Sequence, residues 1–362
     1  MAARNGCKLY DERMCHNMKG LVKYEAGPGH MEIREIPEPS AGAGQIKIQV
    51  KHAGICGSDL HIYHSDIAIP VRPPVVVGHE FSGVITELGE GVTGFAVGDR
   101  VVSETAYIYC ETCEYCRVGF FNLCNNRRTL GYWFDGIFAP YTVVPAGRVH
   151  KIPDNVSDIS AAMTEPLACV CHAVYDLCRI VPNDLVLVTG PGAVGIMAMQ
   201  VAKAHGARVI VSGMSVDAPR LELAKKLGAD IVVDIQKENL EEIVMAESNG
   251  YGADVVLECS GVAPAIDSAL NLIRKRGYFT QIGLPGTKID FDIAKICFKE
   301  LHFTGSLGSR KSSWEQALAL QTRGLVDLEP LADVHLPLSE WKEAFRRFEA
   351  KEGCKIFLDP QV

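Results

Sequence analysis

The segment from Tyr109 to Cys124, YCETCEYCRVGFFNLC, carries four cysteines, at 110, 113, 116 and 124. Thiols this dense serve either as a disulfide framework or as a closed metal site. The N-terminus, MAARNGCKLYDERMCHN, is polar and mixed in charge and lacks the apolar stretch that opens a secretory signal. The thirteen cysteines are therefore expected in a reducing compartment, the cytoplasm, where clustered thiols bind metal more often than they pair. Thiolates two residues apart can reach one tetrahedral zinc at about 2.3 Å each, and four such ligands close a structural site. Cys110, Cys113, Cys116 and Cys124 are read as that site; a redox-active thiol cluster is the other chemistry open to them.

A second constellation is scattered along the chain. Cys56 stands in GICGSDLHIY ahead of Ser58 and His61; His79 and Glu80 are adjacent in VVGHEFSGVI; Glu165 lies in TEPLACV. A thiolate, an imidazole and a carboxylate make three protein ligands, the number found at catalytic zinc, where the fourth position is left for water or substrate. Taken singly, each has a plainer reading: a small core cysteine, a hydrogen-bonded turn histidine, surface carboxylates.

A third motif, VTGPGAVG, places Gly190, Gly192 and Gly195 in a GxGxxG pattern between an apolar strand and a helix opened by Ala193 and Val194. In that context the first glycine permits a tight turn, the second lets backbone approach a pyrophosphate, and the third packs helix on strand. The helix N-terminus supplies free N–H groups and a favourable dipole for phosphate. The alternative is a glycine-rich turn without ligand. An acidic residue usually ends the next strand, where it binds a ribose 2′-hydroxyl. Here RVIVSGMSVDAPR has Gly213 at that end and Asp217 beyond it, while Ser212, Ser215 and Arg220 are candidates to hold a 2′-phosphate, so NAD and NADP both stay open.

The elements that must position these residues fall into two textures. To about residue 160 the chain is rich in short alternating runs broken by Gly and Pro, such as QIKIQVKHAG, GDRVVSE and FAPYTVVP, which predicts an irregular, barrel-like β domain. ISAAMTEPLACVCHAVYDLCRIV then reads as a helix that is apolar on more than one face and hence buried. Next, DLVLVTG, RVIVSG, DIVVD, ADVVLECSG and YFTQIG alternate with helical segments, including PAIDSALNLIRKRG, which means a parallel sheet covered on both faces. The tail, SSWEQALALQTRG, LSEWKEAFRRFEAKEG and CKIFLD, adds two helices and a strand, expected to return to the first domain and close its edge. At 362 residues and 48% hydrophobic content two domains are expected. The net charge of −8 argues against a nucleic-acid partner, and no apolar run is long enough to predict a membrane span.

Taken in order, GICGSD, GHEFSGVITELGEGV, GDRV, the cysteine lobe, EPLA and GPGAVG resemble the zinc-dependent medium-chain alcohol dehydrogenase family across nearly all of residues 18–360. The resemblance implies a GroES-like, β-rich catalytic domain split in sequence by a Rossmann domain. Its segments are a loose extension over 1–17, catalytic domain with zinc lobe over 18–168, NAD(P)-binding domain over 169–307, and a C-terminal return over 308–362. It further implies two zinc ions per chain, with Cys56, His79 and either Glu80 or Glu165 at the catalytic one. Glu80 is the favoured direct ligand, and Glu165 is expected to act through water. Ser58 and His61 are the implied proton relay. EPLA before HAVYDL, together with HEF, is similar to the polyol branch: sorbitol (iditol), butanediol and threonine dehydrogenases. A small alcohol or ketone would be the substrate, and a homodimer or homotetramer, paired through LHFTGSL, the assembly. Animal sorbitol dehydrogenases carry an arginine and an aromatic where this chain has Gly308 and Ser309, with Arg310 displaced, which puts those polyol contacts in question. Trp133 and Phe134 are expected either to line the substrate pocket or to pack on the barrel. A dinucleotide-binding member without enzyme activity is the remaining alternative.

Overall fold

The computed structural model describes residues 16–361. The expected loose extension lies outside the described residues except at its end, where Asn17 already pairs with Pro37.

Alternation in QIKIQVKHAG builds the centre of the β domain. In the strand Gln45–Gly54, Ile46, Ile48 and Val50 are fully buried while their neighbours are not. This strand pairs with Glu80–Leu88 and Tyr141–Pro145, and then with Lys355–Asp359 from the far end of the chain, in a seven-stranded sheet. The return of the tail is as expected. A further strand, Ala332–Pro337, runs parallel to Lys355–Asp359 and escaped the sequence reading. None of its residues is fully buried, so it carries no apolar pattern.

The second half forms a six-stranded parallel sheet in the order Ile231–Asp234, Arg208–Gly213, Leu185–Thr189, Ala253–Glu258, Ile273–Gln281, His302–Gly305. The first strand of the motif is central, and the order reverses beside it, which opens a crevice at the carboxyl ends of the strands. Apolar side chains on the two faces pack into separate cores, one around Val186, Val188 and Met197, the other around Leu187, Val256 and Phe279. The helix read over PAIDSALNLIRKRG is shorter than expected: it spans Ala263–Leu272, and the chain enters the strand Ile273–Gln281 at once. Ile273 pairs with Ala253 and the exposed Arg274–Arg276 form a bulge, so tertiary pairing overrides the helical propensity of the basic run.

ISAAMTEPLACVCHAVYDLCRIV folds into the helices Asp158–Ala161 and Thr164–Cys171, followed by one wide π turn, His172–Asp176. The second helix is buried on nearly all sides, packed against Ala193–Ala204 and Lys311–Thr322. No helix among the described residues is long and apolar enough to cross a membrane.

Candidate active site

Cys56 caps the helix Gly57–His64, and His79 and Glu80 sit where a loop enters the strand Glu80–Leu88. Pairing of Gly54 with Glu80 brings the two segments together. One donor atom each from Cys56, His79 and Glu80 then lies within 4.8 Å of the others. Glu165 is not in this trio. Its buried carboxyl accepts the Cys169 thiol at 3.6 Å, and burial together with the charge of Glu80 pushes its pKa up against the opposing pull of His79 and Lys355.

The trio is supported by residues that motif reasoning passed over. Asp59, fully buried, accepts the Cys56 backbone N–H at 2.9 Å, and its other oxygen lies 3.6 Å from His79 Nδ1. That leaves Nε2 as the imidazole nitrogen free for a metal, the usual arrangement of carboxylate behind a ligating histidine. Burial alone would lower the His79 pKa; the charges of Tyr132 and Asp59 and hydrogen bonding to Asp59 and Cys56 outweigh it and hold it well above the ordinary value. Burial, then the charge of Glu80, raises the Cys56 thiol. Lys355 is buried too; it donates to Ile55 O at 2.8 Å and to the Glu80 carboxylate. A lysine in a tail strand reads as a solvent-facing residue, and only the pairing of Lys355–Asp359 with Gln45–Gly54 reveals its target. Sealed atoms without hydrogen-bond partners gather here: Ser58 Oγ, Asp59 Oδ1 and His79 Nδ1. Buried polar atoms are rarely left unpaired, and orphans around a thiol, an imidazole and a carboxylate mark a place built for a cation and a polar ligand. The residues present fit zinc.

Ser58 and His61 lie one turn apart on the helix Gly57–His64. Ser58 is next to the Tyr132 phenol, while His61 is half-exposed and holds Asp66 at 2.9 Å through Nδ1. Tyr132 is the aromatic of GYWF that faces the site, with its ring 5.5 Å from that of His79. Trp133 instead lies against the guanidinium groups of Arg72 and Arg128, and Phe134 stacks on Tyr107 at 4.0 Å, so of the two expectations for these residues the packing role holds.

Cys110, Cys113, Cys116 and Cys124 converge in the lobe, with their sulfurs mutually within 4.8 Å. The sulfurs of Cys124 and Cys110 are 3.6 Å apart and those of Cys110 and Cys116 3.9 Å, far beyond the S–S bond of about 2.05 Å. Backbone N–H groups point at the sulfurs: Cys113 N–H to Cys110 Sγ and Cys116 N–H to Cys113 Sγ. Hydrogen bonds from Cys113 and Thr112 bring the Cys110 pKa down to about 5, the thiolate form that metals bind. Tyr109 anchors the lobe, stacked on Phe121 and covered by Arg148.

The glycine loop has the geometry its three roles require. Gly190 has φ +88°, and a Cβ there would meet Ser260 at 2.9 Å; one on Gly195 would lie 1.9 Å from Gly190 O. Gly192 faces open space at the start of the helix Ala193–Ala204, which has no side-chain cap. Ala193 and Val194 form its first turn, so unpaired N–H groups point where a pyrophosphate would lie.

The residues weighed for a 2′-phosphate have partners within the chain. Ser212 is buried within the sheet, 3.5 Å from Val188 O. Ser215 Oγ donates to Asp234 at 2.7 Å, and Arg220 is tied to Gly353 O and Asp217. Gly213 does end the strand Arg208–Gly213, but a Cβ there would meet the Pro191 ring at 2.7 Å, so the residue is small for packing. Arg310 pairs with Asp176 at 3.0 Å, donates to Gly119 O and stacks on Phe120, joining the lobe to the π turn. Between these parts, at the carboxyl ends of the last two parallel strands, a cavity of about 280 Å³ is lined by Phe120, Asn122, His172, Gln281, Leu284 and Leu307.

Comparison with known proteins agrees with this geometry. Residues 42–154 match the alcohol dehydrogenase GroES-like domain, and residues 193–323 match the zinc-binding dehydrogenase family. The sorbitol dehydrogenase of Halalkalibacterium halodurans is 47% identical over 95% of this chain and 99% of its own length. The D-arabitol-phosphate dehydrogenase of Enterococcus avium is 39% identical over 96% and 98%. A structure from Sinorhizobium meliloti described as a zinc-binding dehydrogenase bound to NADP superposes with a TM-score of 0.86 at 30% identity, covering 95% of this chain and 100% of that one. With the glycine loop, the thiol lobe and the Cys56–His79–Glu80 cluster in one polypeptide, the chain belongs to the zinc-dependent medium-chain alcohol dehydrogenase family, in its sorbitol dehydrogenase-like branch.

Proposed function

We propose that the protein interconverts a secondary alcohol of a polyol and the corresponding ketone, with NAD(P) as hydride partner and the reacting carbon beside Cys56, His79 and Glu80. The observation that carries this reading is the buried trio with an unpartnered Ser58 hydroxyl beside it. Zinc bound there supplies Lewis acidity to the alcohol oxygen, and the nicotinamide accepts the hydride. Cys56, His79 and Glu80 would hold the metal, Asp59 orients His79, and Lys355 balances the buried Glu80 charge. Ser58, both donor and acceptor, takes the hydroxyl proton, and the half-exposed His61 with Asp66 hands it to water. Glu165, outside the trio, acts through water. Cys110, Cys113, Cys116 and Cys124 leave no open position for substrate, so their zinc is structural.

The two curated relatives named above act, by their names, on sorbitol and on an arabitol phosphate, which supports a sugar alcohol over butanediol or threonine. The complete ligand set speaks against a member without activity. The free thiols of the described residues suit the cytoplasm. A homodimer is favoured by the edge strand His302–Gly305, which is largely exposed, and by the apolar Phe298 and Ile293 in the segment leading into it, exposed by 83% and 62%. The test is a panel of sugar alcohols, short diols and threonine with NAD and NADP, alongside zinc analysis. Turnover of a sugar alcohol that chelation abolishes is expected. No turnover of any secondary alcohol by protein carrying both zinc ions would overturn the reading.

A further inference from the structure

Arg127 is a cation without a counter-ion. Arg127 stands three residues beyond Cys124, where the chain leaves the lobe, and its backbone N–H donates to Cys124 O at 2.9 Å. Its Nε donates to Thr129 Oγ1 at 3.3 Å and its Nη1 to Asn122 O at 3.2 Å, both neutral acceptors. Lys355, Arg310 and Arg220 have the carboxylates of Glu80, Asp176 and Asp217, and the buried Lys23 has two carbonyls and a hydroxyl around its ammonium. Arg127 has no carboxylate within ion-pair distance among the described residues, and its Nη2 has neither a protein partner nor a seal from solvent.

Its surroundings are those of the candidate active site. The groups whose charges bear on it are Tyr132, Cys169, Glu165 and the lobe thiol Cys124, in that order. On the other side, Asn122 ties Arg127 to the cavity: its carbonyl accepts from Arg127, and its amide donates to Leu307 O at 2.8 Å. Gly308 follows with φ +59°, and a Cβ there would lie 3.2 Å from Arg127 Nη1. The missing side chain leaves the guanidinium room on that flank, next to Asn122 and Leu307 of the cavity lining. Partial burial of a guanidinium against neutral oxygens is unfavourable, and an anionic ligand would offset it; the planar fork matches the oxygens of a phosphate.

We propose that Arg127 determines substrate specificity by binding a phosphate monoester at the end of a sugar alcohol remote from the reacting carbon. This rests on the polyol dehydrogenase reading and narrows its substrate class. The name of the arabitol-phosphate relative is in keeping with it.

The experiment compares a pentitol and a hexitol with their terminal phosphate monoesters, using zinc-loaded protein and its Arg127→Met and Arg127→Lys variants. Zinc content and thermal stability are measured for each. The wild type should favour the phosphate esters. Arg127→Met should raise KM for the esters about 10- to 100-fold, with kcat and all constants for the neutral polyols nearly unchanged, as for loss of one charge-assisted hydrogen-bond pair. Arg127→Lys should recover part of the loss. Equal effects on neutral and phosphorylated substrates, or none, would overturn the proposal. So would loss of lobe zinc with a uniform fall in activity, which would make Arg127 the counter-ion of the thiolates. Calorimetric titration with inorganic phosphate gives a readout independent of turnover. Phosphate binding lost in Arg127→Met supports the anion site even if the dehydrogenase reading fails; equal binding by both proteins refutes it.

Discussion

Glu80 and Glu165 share a residue type, a pocket and near-complete burial, yet their neighbours assign them different work. Glu80 meets Cys56 and His79 on one side and Lys355 on the other; Glu165 meets only a thiol within hydrogen-bond reach. A direct ligand replaced by its amide loses its charge toward the metal, whereas loss of an outer carboxylate typically costs about 10–100-fold in affinity or activity while the metal can stay. Glu80→Gln is therefore expected to deplete the catalytic zinc, and Glu165→Gln to keep it with activity down by that factor. Zinc occupancy of the two purified variants decides. Full occupancy in Glu80→Gln with depletion in Glu165→Gln would reverse the roles. The adjacency of His79 and Glu80 was readable beforehand. Lys355 was not, because 275 residues separate it from Glu80 and nothing local marks it.

At the level of elements, the lobe and the buried helix Thr164–Cys171 solve opposite problems. The helix is held by apolar burial on several faces and needs no staple. The lobe has a four-residue helix, one short 3₁₀ turn, few buried apolar groups and an exposed Val118 and Leu123, so metal ligation must supply much of its folding energy. Cys110→Ser is expected to lose one zinc of the two and to lower the melting temperature, while hydride transfer by the remaining folded protein changes little. Unchanged thermal stability after loss of that zinc would remove the structural role. Arg310 links this lobe to the π turn, so unfolding of the lobe should also loosen the cavity wall at His172.

On the scale of the whole molecule, the candidate site exists only because two halves meet, across a core in which Val102, Ile152 and Phe357 join Val186, Val188 and Met197. The β domain supplies the metal trio, the parallel sheet supplies the glycine loop, and Thr164–Cys171 lies where they join. The outer edge of the parallel sheet ends in His302–Gly305, and Phe298 and Ile293, in the segment leading into that strand, are uncovered. Pairing of that edge with its own copy about a two-fold axis would hide both the strand and the apolar patch. Phe298→Asp, a change on a side chain already exposed, is expected to convert a dimer to a monomer in sedimentation without loss of the fold. An unchanged assembly would place the interface elsewhere.

Local chemistry sufficed for what depends on residue type and short spacing. The four lobe thiols, the glycine loop and the alternation of apolar strands with helices could all be read in the sequence, since spacing of a few residues dictates their geometry. The tertiary structure alone decided what depends on which distant surfaces meet. It brought Lys355 to Glu80, turned Tyr132 rather than Trp133 toward His79, and gave Ser215 and Arg220 partners in Asp234 and Gly353. It also closed the space at Gly213 with Pro191 and left Arg127 with only the neutral acceptors of Thr129 and Asn122. A side chain's partner is set by the packing of whole elements, and that packing has no signature in the few residues around it.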